Sequence, residues 1–195
     1  ARDKIETIQA NTRKGGEKLY LIHNILAEIA IEDDNIDNLY LNYEKAAKNA
    51  PSKSKQISIY GKLVYFAEMH QNKIKASEYL VSLGDVASGE SYKDIRIHAR
   101  MDWISYQREL GNYDGVILEI QKMRGMTEFE SEFKKLELEL GKVYKDRGDF
   151  DLAKEIFSMM VEKYSNKEET GEAYYHLGIM SLREDFNLDM AREYF

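Results

Sequence analysis

The chain has 195 residues, 43% of them hydrophobic, with 28 Lys and Arg against 35 Asp and Glu for a formal net charge of −7. That acidic balance argues against general nucleic-acid binding, which needs a basic footprint, and the absence of cysteine excludes disulfides, thiolate zinc sites and a cysteine nucleophile. No run approaches the roughly 18 continuous apolar residues of a membrane span, and a single proline among plentiful Leu, Glu, Lys, Ala and Ile favours helices over a turn-rich sheet protein.

Residues 1–13 read as a helix carrying Ile5 and Ile8, ended by Gly15 and Gly16. The stretch up to residue 19 is then either a capping helix or the second helix of a preceding repeat. Because Ala1 is not an initiating methionine, the chain is expected to start within a longer protein or after a cleavage site. Next comes "LIHNILAEIAIEDDNIDNLYLNYEKAAKNAP", in which Leu26, Ala27 and Ala30, then Leu39, Tyr43 and Ala46, fall at helical spacing. It closes on Pro51, where a helix must end. "YGKLVYFAEMHQNKIKASEYL" repeats the pattern with Leu63, Val64 and Ala67, then Ala76 and Leu80. "ARMDWISYQRELGNYDGVILEI" follows with Trp103 and Ile104, Gly111 in the turn, and Val116 and Ile120.

The clearest copy is "LGKVYKDRGDFDLAKEIF", with Leu140, Gly141, Tyr144, Gly148, Phe150, Ala153 and Phe157. The last, "AYYHLGIMSLREDFNLDMAREYF", supplies Tyr174, Leu177 and Gly178, then Ala191 and Phe195 after one extra turn residue. Copies thus begin near residues 20, 57, 97, 134 and 171, and the last stops inside its own pattern. Self-similarity at such a period marks a repeat array. Gly141 sits in a helix interior, where glycine costs roughly 1 kcal/mol relative to alanine. The expected compensation is close approach of the partner helix, with Ala153 opposite, repeated by Gly178 with Ala191.

This arrangement resembles the tetratricopeptide repeat family, of bacterial type, over residues 20–195. The fourth copy carries the family's positions best, the first matches mainly through Tyr43, Ala46 and Pro51, and the third departs most, with Ile104 and Val116 where small residues are usual. The resemblance implies an all-α, right-handed α-solenoid of about five stacked helix-turn-helix repeats. It also implies a concave groove, lined by the first helix of each pair, that binds a peptide or partner protein. The phrase "VEKYSNKEETGEAYYHLG" is similar to bacterial envelope members, so a periplasmic or cell-envelope location and a cytoplasmic one both stay open.

Other chemistry is weighed against this reading. Asp33, Asn35, Asp37 and Glu44 have the spacing of an EF-hand calcium loop, but Asn38 stands where glycine makes the turn and Leu41 replaces a polar residue. His23, His70, His98 and His176 show no metal spacing and read as surface or half-buried helix residues. No nucleophile elbow, phosphate loop or dinucleotide fingerprint is present. The expectation is therefore a non-enzymatic protein with no catalytic residues, no metal and no cofactor.

Helical geometry places the groove candidates beside the core positions. They are Asn24, Glu28, Ile31, Tyr65, Glu68, Met69, Met101, Ser105, Arg108, Lys135, Leu138, Lys142, Lys145, Tyr175, Ile179 and Arg183. Glu28, Glu32 and Glu68 make the early face acidic, whereas Arg108, Lys135, Lys142, Lys145 and Arg183 make the late face basic. That polarity suggests a partner with an acidic segment, anchored on Tyr65, Met69 and Tyr175. The family's carboxylate clamp is not expected, since Glu28 and Asp102 stand where it has Asn and Arg. Two alternatives are a spacer or self-assembly module joined through repeat ends, and the regulatory region of a larger multidomain protein.

Overall fold

The computed structural model describes residues 15–164, 168–183 and 186–195, and every regular element among them is helical. In chain order these are α1 (Gly15–Glu32), α2 (Ile36–Lys48), α3 (Lys53–Met69), α4 (Lys73–Val86) and α5 (Lys93–Glu109). Then follow α6 (Tyr113–Arg124), α7 (Phe133–Arg147), α8 (Phe150–Lys163), α9 (Glu168–Arg183) and α10 (Leu188–Tyr194). Short 3-10 turns at Glu90–Tyr92 and Thr127–Glu132 lead into α5 and α7. The helix assigned to residues 1–13 lies outside the described residues. Gly15 and Gly16, expected to end that helix, lie within α1.

The turns show the repeat most directly. One residue in each adopts the left-handed conformation: Asp34, Gln71, Gly111, Gly148 and Phe186, spaced 37, 40, 37 and 38 apart. This is the residue that reverses the chain after a helix, and it is cheapest as glycine. Immediately after it stands Asn35, Asn72, Asn112, Asp149 or Asn187, the N-cap of the second helix. The N–H of that cap donates back to the first helix, from Asn35 to Ala30 at 2.8 Å, Asn72 to Ala67 at 2.8 Å, Asn112 to Gln107 at 2.9 Å and Asp149 to Tyr144 at 2.9 Å. In the fifth turn Asn187 donates to Ser181 at 2.8 Å, across one additional residue. Each bond satisfies a carbonyl that the end of a helix would leave without a partner.

Packing divides the chain into two compact units, up to Tyr106 and from Gln107 on, with the division inside α5. In the first unit α1 packs on α2, α2 on α3, and α3 on α4. Its core gathers Ala27, Leu39, Tyr43, Leu63, Ala76 and Leu80, with Tyr43 stacked on Phe66 and Tyr40 stacked on Tyr79. In the second unit α6 packs on α7, α7 on α8, α8 on α9 and α9 on α10, while α7 also touches α9. Its core gathers Leu138, Ala153, Phe157, Met160, Leu177 and Met180.

Gly141 is where the hairpin closes, although the partner differs from the expectation. A Cβ at Gly141 would lie 2.8 Å from Cζ of Phe157, whose ring is fully buried. Likewise a Cβ at Gly178 would lie 2.7 Å from Cζ of Phe195. The space that each glycine leaves is filled by an aromatic ring of the second helix rather than by closer approach at Ala153 or Ala191. At the position of Gly141 the earlier repeats carry Ala27, Val64 and Ile104, and at that of Phe157 they carry Tyr43, Leu80 and Ile120. As the first-helix residue grows from glycine to isoleucine, its counterpart shrinks from an aromatic ring to an aliphatic chain. Close-packed interiors require such trading of volume.

Candidate functional site

On the second unit's first helices, the cations predicted to face a partner are brought together with carboxylates. Arg108, at the end of α5, lies 2.8 Å from Asp146 and 3.2 Å from Glu139, both on α7. The Asp146 contact is a hydrogen bond from Nη1, whereas Nε and the Glu139 oxygen are enclosed without hydrogen-bond alignment, so that contact is electrostatic. Lys142 lies 3.1 Å from Glu139 one turn earlier and 2.5 Å from Glu172 on α9. Lys145 lies 3.4 Å from Asp146, and Lys135 3.0 Å from Glu132. Arg108, Lys142 and Lys145 are thus matched by Glu139, Asp146 and Glu172, and the late face is not the open basic surface that the sequence suggests.

His176 lies behind this network. It is buried, stacked on the Phe157 ring at 5.0 Å between centroids and edge-on to Tyr175 at 5.6 Å, and its Nε2 is enclosed without a hydrogen-bond partner among the described residues. Burial, together with the charges of Lys145 and Lys142, pushes its pKa down to about 4 against the opposing pull of Glu172 and Asp146. A neutral imidazole at this point acts as a flat core residue, more deeply placed than the surface or half-buried histidine that the sequence suggested. Leu138, expected in the groove, is buried under α9. Tyr175 is 54% exposed, Ile179 is half-buried and Arg183 is exposed.

The first unit presents a different surface. Tyr65 and Met69, one turn apart on α3, are each 57% exposed, and Ile31 on α1 is also exposed. Glu28 and Glu32 on α1 are exposed, and Glu68 on α3 accepts a hydrogen bond at 2.9 Å from the Tyr106 hydroxyl on α5. Asp102 on α5 has a raised pKa, chiefly through burial and secondly through the charge of Glu68, with His98 opposing. Lys62 holds its ammonium 5.1 Å from the Tyr43 ring centroid, and Glu28 raises the pKa of Tyr43 after burial has done so. Asn24, Met101 and Ser105 are half-buried on α1 and α5, the Asn24 Oδ1 without a hydrogen-bond partner among the described residues.

The calcium-loop residues do not converge. Asn35 caps α2 by accepting from the Asn38 N–H at 3.1 Å, and Glu44 accepts from the Tyr79 hydroxyl at 2.7 Å. Among the described residues no group of three or more His, Asp or Glu is placed to hold a metal ion, and no helix is long and apolar enough to cross a membrane.

Glu139, Asp146 and Glu172 are the residues that sequence reasoning missed. The Glu139–Lys142 pair was legible as two charges three apart on a helix. Arg108–Asp146 and Lys142–Glu172 join different helices and leave no local signal. No family model matches the chain, and a search of curated proteins finds no match.

Proposed function

We propose that this protein is a non-enzymatic scaffold, a right-handed solenoid of tetratricopeptide type whose first helices hold a peptide or partner protein. The observation that carries the reading is the exposure of large apolar residues, Tyr65, Met69 and Tyr175, on α3 and α9, beside the helix faces that form the core. Aromatic and methionine side chains left open to water are the usual anchors of binding surfaces. The turn motif recurring five times supports a repeat protein, and repeat proteins bury their core between neighbours while leaving one long face available.

The pairing of Arg108, Lys142 and Lys145 changes which experiment tests this. Reversing those three charges would set like charges beside Glu139, Asp146 and Glu172 and unfold the second unit instead of probing a surface. Tyr65→Ser, Met69→Ser and Tyr175→Ser combined remove the anchors and leave the core intact. Affinity capture should retain a defined protein on the wild type and lose it on this variant, with both showing the same helical circular dichroism. Equal retention by both would remove the first-helix face as the site.

Self-association is favoured by a separate observation. Phe186 is 85% exposed, Leu188 63% and Phe195 65%, all on the last hairpin. Light scattering over a range of concentrations, for the wild type and for Phe186→Ser with Leu188→Ser, decides whether that apolar surface pairs two copies.

A further inference from the structure

We infer that the α1–α3 face of the first unit takes a basic partner segment, one that carries lysine or arginine beside apolar side chains. This rests on the scaffold reading and names the chemistry of the ligand. Glu28, Ile31 and Glu32 occupy the same repeat positions on α1 that Tyr65, Glu68 and Met69 occupy on α3, 37 residues later. An acidic residue on one helix therefore stands at the position of a large apolar residue on the other, three times over. Ile31, Tyr65 and Met69 are all exposed, as are the three glutamates.

Charge decides the occupant. Glu28, Glu32 and Asp102 have no ion-pair partner among the described residues, and Glu68 receives only the neutral Tyr106 hydroxyl. Lys62 on α3 is held over the Tyr43 ring. Glu28, Glu32, Glu68 and Asp102 give the face a negative charge, and Asp33 and Asp34 in the adjoining turn add to it. The raised pKa of Asp102 records the resulting repulsion, after burial, from Glu68. An acidic segment would meet that repulsion directly. A basic one would relieve it while its apolar side chains cover Tyr65 and Met69, and complementary charge of this kind speeds and orients association. The contrast with α7, where every carboxylate named above already has a cation, makes this the face with chemistry left to satisfy.

The probes are two fluorescein-labelled peptides of roughly 12 residues, enough to cross about 40 Å when extended. They share leucine at every third position and carry lysine in one and glutamate in the other at the remaining charged positions. Fluorescence anisotropy should show the lysine peptide bound at least about tenfold more tightly than the glutamate peptide, the gap narrowing as salt rises. Glu28→Lys with Glu32→Lys, and separately Tyr65→Ser with Met69→Ser, should each weaken it by about tenfold or more. Glu78→Lys with Glu90→Lys, an equal charge change elsewhere on the first unit, should leave it within about twofold.

Equal weakening by that control would reduce the binding to the chain's overall negative charge and overturn the inference. Preferential binding of the glutamate peptide, lost in Tyr65→Ser with Met69→Ser, would overturn the basic partner and leave the scaffold reading standing. If neither peptide binds, the basic-partner inference falls, and the capture experiment decides separately whether the scaffold reading falls with it.

Discussion

The α1–α3 face and the α7–α9 face are built on the same turn and the same helix spacing, yet they use their charges in opposite ways. On α7 and α9, Glu139, Asp146 and Glu172 are matched with Arg108, Lys142 and Lys145, and the network ties one first helix to the next. On α1 and α3 the carboxylates alternate with exposed apolar side chains and meet no such set of cations among the described residues. A repeat fixes where side chains stand, but not whether they serve the fold or a partner. That assignment depends on what the neighbouring repeat offers at the matching position.

The largest effect is expected at Gly141, in the second unit. Gly141→Leu forces a branched side chain into the space of the buried Phe157 ring and should destabilise the protein by roughly 3 kcal/mol or more. Phe157→Ala in the same chain should recover part of the loss, a coupling measurable in a urea double-mutant cycle. If the two changes simply add, the glycine and the ring do not share one space.

His176 sets the second contrast, in pH. Its folded pKa of about 4 lies below the ordinary 6.5, so its stabilising effect is complete above pH 6.5 and is lost as pH falls towards 4. Between pH 7 and 5 that amounts to about 2 kcal/mol. Urea midpoints should fall over this range for the wild type, and His176→Gln should flatten the decline. A wild-type midpoint that holds steady to pH 5 would mean that the imidazole is already charged in the fold.

Among the carboxylates, Glu139→Ala should cost about 1–2 kcal/mol, because it leaves Arg108 and Lys142 largely enclosed without that partner. Glu28→Ala should change stability by less than about 0.5 kcal/mol. Thermal unfolding of the two variants side by side tests whether one face is structural and the other available. Similar losses would erase the distinction.

The smallest contrast concerns the caps. Asn72 accepts from the Lys75 N–H at 3.0 Å, whereas the Asp149 side chain makes no capping bond and instead pairs with Arg147. Asn72→Ala should cost about 1 kcal/mol. Asp149→Ala should cost no more than about 0.5 kcal/mol, since it loses only an exposed ion pair. Hydrogen exchange at the first turns of α4 and α8 reads the difference locally.

The α-helices and the five turns were legible in the residues. Apolar positions recur at helical spacing, and Gly111 and Gly148 mark two of the left-handed turns. The other three, at Asp34, Gln71 and Phe186, were less visible because Gln and Phe rarely adopt that conformation and Asp does so less readily than glycine, although the Asn that follows each turn was there to be read. Tyr65, Met69 and Tyr175 were also found from spacing alone, since exposure follows from helix phase. The late face was misread because charge was counted along each helix and not across neighbouring ones.

Helical character, the places where the helices reverse and the apolar side of each helix are written in the residues. These follow from local periodicity and from the conformations open to single residues. Packing between helices is what places Phe157 in the space above Gly141, holds His176 neutral in the core, and lets α7 neutralise its own cations while α1 and α3 leave their carboxylates exposed. Those outcomes depend on distances between helices, from Gly141 and Phe157 within one hairpin to Lys142 and Glu172 in successive ones. Contact between such residues is set by how the hairpins stack, not by anything written in either segment alone.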